Sequence, residues 1–148
     1  MTATSSFLTF LMHSTDGTTY TNLVDVVDIP DLGGDPETLD TTTLTDRMRT
    51  NILGLQSSDV MAFTANYDVD DFDALKTIER ATVTTPQYFA VWLGGTDDGV
   101  NTPTPTGALG KFSFQGSLNV RLTGMGVNEV RRMTISLAAS TPIAFEKP

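Results

Sequence analysis

The chain has 148 residues and a mass of 15.9 kDa, with 18 Asp and Glu against 9 Lys and Arg, one His and no Cys. A domain of this length buries roughly 70% of the surface its unfolded chain exposes and needs no staple, while the missing Cys removes disulfides, thiol nucleophiles and thiolate metal sites, and one His cannot build a histidine-rich centre. The net charge of −9 argues against a basic groove that neutralises phosphates, the electrostatic footprint of nucleic-acid binding.

The charge is unevenly placed. Residues 1–74 carry 13 acids and 2 bases (−11), and residues 75–148 carry 5 acids and 7 bases (+2). Such asymmetry suits head-to-tail contact between copies, although a solvated acidic surface would look the same. The N-terminus lacks the basic region and long apolar stretch of a secretory signal, and no apolar run approaches the roughly 18 residues of a membrane span. The expectation is a single soluble domain over residues 1–148, made and left in a cytoplasm, with no membrane partner.

Thr is the commonest residue at 25, and with 11 Val and 5 Ile the β-branched side chains reach 41 of 148, a composition that favours pleated strands. In chain order, the apolar run Phe7 to Met12 and the stretch Thr18 to Asp28 flank a hairpin turn at Ser14-Thr15-Asp16-Gly17. From Ile29 to Ser58, Pro30, Gly33, Gly34, Pro36 and Gly54 break regular elements, yet Leu32, Leu39, Leu44, Met48, Ile52, Leu53 and Leu55 keep supplying apolar side chains. A solvated linker has nothing to bury, so residues 30–58 read as a long arm within the domain that packs against something else.

Val60 to Tyr67 alternates as a half-buried strand, and Asp71 to about Arg80 is the one convincing helix, capped by Asp68 or Asp70, with Phe72, Leu75 and Ile78 inward. Pro86 opens a strand, Gln87 to Leu93, that is apolar on both faces, with Trp92 expected in the core. It ends in a Gly94 to Gly99 turn, and Asn101 to Gly107 reads as an exposed Thr/Pro loop. The clearest periodicity runs from Lys111 to Thr123. Phe112, Phe114, Leu118, Val120 and Leu122 fall on one face, and Lys111, Ser113, Gln115, Ser117, Asn119, Arg121 and Thr123 on the other. After Gly124-Met125-Gly126 the strand Val127 to Ala138 returns with Met133, Ile135 and Leu137 inward, its phase slip at Arg131 and Arg132 suggesting a bulge. A long hairpin with a wholly polar face needs water on that side.

No catalytic constellation emerges. Asp68 to Glu79 imitates a calcium loop but has Phe72 where a ligand belongs and Asp73 where Gly is required, so helix capping explains its acids better. Gly110-Lys111-Phe112 lacks the first Gly and the hydroxyl of a phosphate loop, and Gly124-Met125-Gly126-Val127 lacks the third Gly of a dinucleotide fingerprint. His13 could act as a general base only if a distant Ser and carboxylate converged on it, so a structural role at a strand end explains it better, and Asp97 and Asp98 fit a glycine-flanked turn. No cofactor or metal is expected, and no enzyme activity.

The run from Asp28 to Tyr67 resembles the major tail tube proteins of long, non-contractile-tailed bacteriophages. The likeness is carried by Ile29-Pro30-Asp31-Leu32-Gly33-Gly34, Pro36-Glu37-Thr38, Thr43-Leu44-Thr45-Asp46, Gly54-Leu55, and Phe63 with Asn66-Tyr67-Asp68. Gly126-Val127-Asn128-Glu129-Val130 and Ser140-Thr141-Pro142-Ile143 look similar to the family less sharply. The resemblance implies a mainly β sandwich or barrel with one flanking helix. It further implies hexameric rings stacked into a tube in the virion tail, through which DNA passes without specific binding, with tape-measure, tail-initiator and tail-terminator proteins as partners. On that reading Pro30 to Ser58, with Asp31, Leu32, Gly33, Gly34, Pro36, Glu37, Thr38, Leu39, Met48, Ile52, Leu53 and Leu55 as its assembly residues, is loosely ordered in the free subunit and orders on ring and stack formation, burying Leu32, Leu39, Met48, Ile52 and Leu53. The polar face from Lys111 to Arg121 would line the channel. The family's lumen is expected to be electronegative, so Lys111 and Arg121 require either neighbouring acids that outweigh them or acids of the next subunit. The competing readings are a capsid decoration protein of similar fold and a carbohydrate-binding or adhesive β-sandwich, which would present exposed aromatic residues.

Overall fold

The computed structural model of the chain describes residues 8–32, 36–44, 48, 51–56, 60–97, 99 and 103–147, with the backbone alone described at 36–38 and 51–56. Among these residues lie β1 (Thr9–Ser14), β2 (Thr21–Val24), β3 (Val26–Asp28), β4 (Pro36–Asp40), β5 (Asn51–Gln56), β6 (Met61–Asn66), α1 (Val69–Thr82), β7 (Gln87–Thr96), β8 (Thr104–Thr123), β9 (Arg132–Ala139) and β10 (Ala144–Glu146). The fold is mainly β with one helix, as the β-branched composition requires.

The main sheet is antiparallel and runs β2-β1-β7-β8-β9-β6-β3, with β10 added on β8. Its two outermost strands, β2 and β3, are separated in the chain by Asp25 alone. One nearly continuous stretch therefore pairs with β1 at one end of the path and with β6 at the other, and the sheet curls onto itself. Its inner faces share one core: Leu11, Phe89, Val91 and Phe114 from one half meet Phe63, Ala65, Val120, Met133, Ile135 and Leu137 from the other. The alternation that marked β6 and β8 in the sequence is the burial pattern observed, with Met61, Phe63 and Ala65 buried on β6 and Phe114, Leu118 and Val120 on β8.

β8 belongs to both halves. It pairs with β7 up to Gly116 and with β9 from Gly116 onward. A Cβ at Gly116 would stand 2.2 Å from the Ala138 carbonyl oxygen, so the handover between partners needs a residue without a side chain. Beyond it α1 takes the place of β7: the Leu118 N–H donates to Thr82 Oγ1 at 3.2 Å, and the Thr82 hydroxyl donates to the Glu79 carbonyl at 3.1 Å. Leu75 is the buried apolar anchor of α1, with Phe72 and Ile78 packed half-buried against the core.

Four expectations are corrected. The helix starts at Val69 and ends at Thr82, longer than Asp71 to Arg80, and its N-cap Asp68 makes no side-chain capping bond. β8 begins at Thr104 inside the expected loop, because β7 continues past Gly94 with a register shift and pairs Gly95 with Pro105 and Thr96 with Thr104. β9 begins at Arg132 and not at Val127. The segment before it is a turn in which Gly124 (φ 69°) and Asn128 (φ 63°) adopt left-handed conformations, so the phase slip marks the end of a turn, and the β8–β9 ladder has no shift. Residues 30–58 contain regular structure after all: β4 and β5 form a separate two-stranded sheet in which Leu39 faces Ile52 and Asp40 faces Asn51.

Candidate functional site

The strand period of two places Lys111, Ser113, Gln115, Ser117, Asn119 and Arg121 on the outer face of β8, opposite the core. The first four are half-buried, while Asn119 and Arg121 are exposed. Register partners carry this face across the neighbouring strands. On β9 and β6, Ser117 is followed by Ala138, Asn119 by Ser136 and Ala62, Arg121 by Thr134 and Thr64, and Thr123 by Arg132 and Asn66. This half of the face is a field of small uncharged polar groups interrupted by Arg121 and Arg132, and Thr123 and Thr134 share a hydroxyl contact at 3.3 Å. The sequence reading missed Thr134 and Ser136, although their alternation with Met133, Ile135 and Leu137 was visible.

The other half is aromatic. Tyr88 stands beside Gln115, Ala90 beside Ser113 and Trp92 beside Lys111. Trp92 is not in the main core, as its apolar run had suggested. It is half-buried on the outer face in a second cluster with Phe10, Met12, Ala90 and Tyr20, its ring centroid 5.8 Å from that of Tyr20. The Lys111 ammonium lies 4.2 Å from the centre of the Trp92 ring, a cation–π contact. Its stem crosses Gly107, and Glu146 of β10 is its cross-strand partner. An open pocket of about 250 Å³ between β7, β8 and the segment before β10 is lined by Tyr20, Tyr88, Gln115 and Pro142 among others. Burial, then Tyr88, Glu146 and Asp16, push the Tyr20 phenol upward.

At the other end of β8, Asn119 Nδ2 donates to Glu79 Oε1 at 2.7 Å, and Glu79 also pairs with Lys76 at 2.9 Å. Polar residues 117 and 119 thus stand beside the end of α1, whose Glu79, Arg80 and Thr82 line a second open pocket with them.

In the arm, Leu32 is half-buried and packs against the core, whereas Leu39 and Met48 are exposed and Asp31 is exposed at its root. Gly33 and Gly34 lie outside the described residues, and Pro36, Glu37, Thr38, Ile52, Leu53 and Leu55 are placed by backbone pairing alone.

The remaining candidates for chemistry are held in local contacts. His13 Nε2 lies 2.5 Å from Gln87 Oε1, with its ring 5.3 Å from that of Phe89. Asp16 accepts from the Thr18 and Thr19 amides at 2.9 and 3.0 Å and from the Ser14 hydroxyl at 2.7 Å. Those bonds, the Thr19 amide foremost, hold its carboxyl far below the usual carboxylate range. Asp71, in the first turn of α1, is pushed up by burial and then by Asp68, Asp25 and Asp70. The Asp97 carboxylate accepts from the Gly99 amide at 2.9 Å, the bond of a turn. Among the described residues no cluster of three His, Cys, Asp or Glu could hold a metal, and no helix is long and apolar enough to cross a membrane.

The family model of the phage tail tube protein, TTP, matches residues 3–85, more than half of the chain, and the protein belongs to that family. It is a structural component of a phage tail and not an enzyme. No curated protein matches the chain. Among solved structures, it is similar to a chain of the PVC sheath/tube terminator of an extracellular contractile injection system in the extended state, with TM-score 0.67 and 9% identity over 99% of this chain and 98% of that one. A chain of the anti-feeding prophage baseplate, 6-fold symmetrised, aligns with TM-score 0.64 and 9% identity over 99% and 97%. A chain of the PVC sheath-tube complex in the extended state aligns with TM-score 0.57 and 11% identity over 97% and 91%. At these identities the likeness is one of fold.

Proposed function

We propose that the protein, as one domain over residues 1–148, assembles into hexameric rings that stack into the tail tube of a long, non-contractile-tailed phage. DNA leaves the capsid through this tube without specific binding. Membership of the tail tube family over residues 3–85 is the observation that carries the reading. The chain of similar fold in the 6-fold symmetrised baseplate supports the ring order, and the stretch Asp28 to Tyr67 supports the non-contractile class. Synthesis takes place in the host bacterial cytoplasm. Tape-measure, tail-initiator and tail-terminator proteins meet the tube along its length and at its ends.

In this reading Lys111, Ser113, Gln115, Ser117, Asn119 and Arg121 face the channel, together with Thr134 and Ser136 of β9. Small uncharged hydroxyls and amides offer moving phosphates few anchoring contacts. Within the subunit Lys111 has Glu146 as its cross-strand partner, and Arg121 is left to acids of a neighbouring subunit, so the surface is muted in charge and not strongly negative. The assembly segment, from Asp31 and Leu32 through Gly33, Gly34, Pro36, Glu37, Thr38 and Leu39 to Met48, Ile52, Leu53 and Leu55, makes contacts between subunits. It is loosely ordered in the free subunit and orders there.

Negative-stain microscopy of the purified protein across a concentration series, with its mass in solution, tests this. Hollow rings or tubes are expected, unaided or on addition of tail-initiator complexes. A monomer that persists under both conditions would contradict the reading.

A further inference from the structure

β10 takes up the edge of β8 where β9 leaves it. Gly116 pairs with Gln87 of β7 on one side and with Ala139 of β9 on the other. Lys111, Phe112 and Ser113 likewise pair with β7 on one side and with β10 on the other. β9 and β10 therefore lie along the same edge of β8, separated by residues 140–143. Among the described residues Thr104 to Gly110 have no strand on that side, so β10 covers only residues 111–113 of a longer edge. An open edge presents a row of free N–H and C=O groups to any other strand.

The segment is held firmly at its root and weakly beyond it. At the root, the Ser140 N–H and hydroxyl both donate to the Gln115 carbonyl, at 2.7 and 2.9 Å, and the Gln115 N–H donates to Thr141 Oγ1 at 2.9 Å. Ile143 packs half-buried against the core. Beyond it Ala144, Phe145 and Glu146 are all exposed. Their one apolar hold is the Phe145 ring, itself 62% exposed, which lies 5.2 Å from the Phe112 ring and over Gly110, where a Cβ would stand 3.2 Å from Phe145 Cε2. A strand of three exposed residues near a chain end opens at little cost, and Ser140 to Ile143 keep the rest of the sheet in place when it does.

We propose that β10 is a latch on assembly. In the free subunit it occupies the β8 edge and keeps a second copy of this chain from pairing there. Its release bares Lys111, Phe112 and Ser113, extends the open edge from Thr104 to Ser113, and lets an extended segment of a second copy add in its place. β10 itself shows what fits this edge: an antiparallel strand with an apolar side chain seated over Gly110. Because only the opened fraction of subunits can pair, the latch sets how fast copies join. This inference rests on the tube reading.

The chain contains no Cys, so the latch can be locked reversibly. Ala144 and Ser113 face each other across the ladder, and facing residues of an antiparallel pair stand about 4.5 or 5.5 Å apart at Cα, both within disulfide reach. The full-length chain carrying Ala144→Cys and Ser113→Cys is compared in its oxidised and reduced forms, so that the effects of the substitutions themselves cancel. Assembly is followed by light scattering under the conditions in which the unmodified chain polymerises. It is expected to be at least about tenfold slower in the oxidised form and to recover on reduction. Phe145→Ser weakens the latch from an exposed position and is expected to shorten the lag about threefold with the Tm of the subunit unchanged, an effect that a merely supporting strand would not produce. Equal rates for the oxidised and reduced forms, an unchanged or longer lag for Phe145→Ser, or failure of the two thiols to oxidise would overturn the latch and leave the tube reading standing. Failure of the unmodified chain to polymerise at all would overturn both.

Discussion

Lys111 shows how one residue's position depends on what its neighbours lack. Gly107 sits at φ +66°, and a Cβ there would lie 2.5 Å from Lys111 Cε and 2.7 Å from its Cγ. The absent side chain lets the lysine stem cross the backbone and lay its ammonium over Trp92. Gly107→Ala is expected to cost about 1–2 kcal/mol, because an L residue is strained in the left-handed region, and to lift Lys111 off the ring. Trp92 is the sole Trp, so its emission spectrum reports the displacement directly; an unchanged spectrum and Tm would refute the contact. Asp16 carries a pH dependence. Its folded carboxyl is held below the unfolded value of about 3.9, so its contribution to stability is complete above that pH and is lost as pH falls toward the lowered folded value. Asp16→Ala should therefore flatten the acid limb of the stability curve without changing its slope near neutrality, as acid unfolding followed by circular dichroism would show. The sequence placed Asp97 in a turn, where its carboxylate takes the Gly99 amide, but it misplaced Trp92. An apolar run on both faces does not say which face meets the main core and which meets a second cluster.

At the scale of elements, the join between α1 and β8 is the most exposed to mutation. Thr82 Oγ1 is the acceptor for a buried β8 amide at the point where β7 has ended. Thr82→Val keeps the shape but orphans the Leu118 N–H, and the expected loss is about 1–3 kcal/mol, read from urea unfolding; a loss within error would mean that water or a shifted strand replaces the hydroxyl. Leu75→Ala removes the buried anchor of the helix and should cost about 2–5 kcal/mol, with Phe72 and Ile78 left to hold α1 in place. β6, α1 and the Lys111 to Thr123 part of β8 were legible, because each buries one face and so writes its period into the sequence. The β4–β5 hairpin was not, since its strands belong to a separate sheet and are interrupted by Pro36 and Gly54. The start of β8 was hidden by Pro103 and Pro105, which read as loop punctuation but are tolerated where β8 begins. The turn before β9 was masked by Val127 and Val130, whose β-branched character imitates a strand although both are exposed.

On the scale of the whole molecule, closure of the sheet depends on β2 and β3 meeting at Asp25. Two short strands of mixed burial give no periodic signal of that long-range arrangement. The family was legible in the stretch Asp28 to Tyr67, where the order of many residues carries information that composition lacks. The proposed outer face of β8 has its meaning only in the polymer, because a polar sheet face is unremarkable on a monomer and decisive on the wall of a channel. A cryo-electron microscopy reconstruction of the assembled polymer is the most direct measurement. Expected are six subunits per ring around an open channel, with Ser113, Gln115, Ser117 and Asn119 on its wall. A solid filament, or a channel with these four residues turned to the outside, would contradict the proposed conduit.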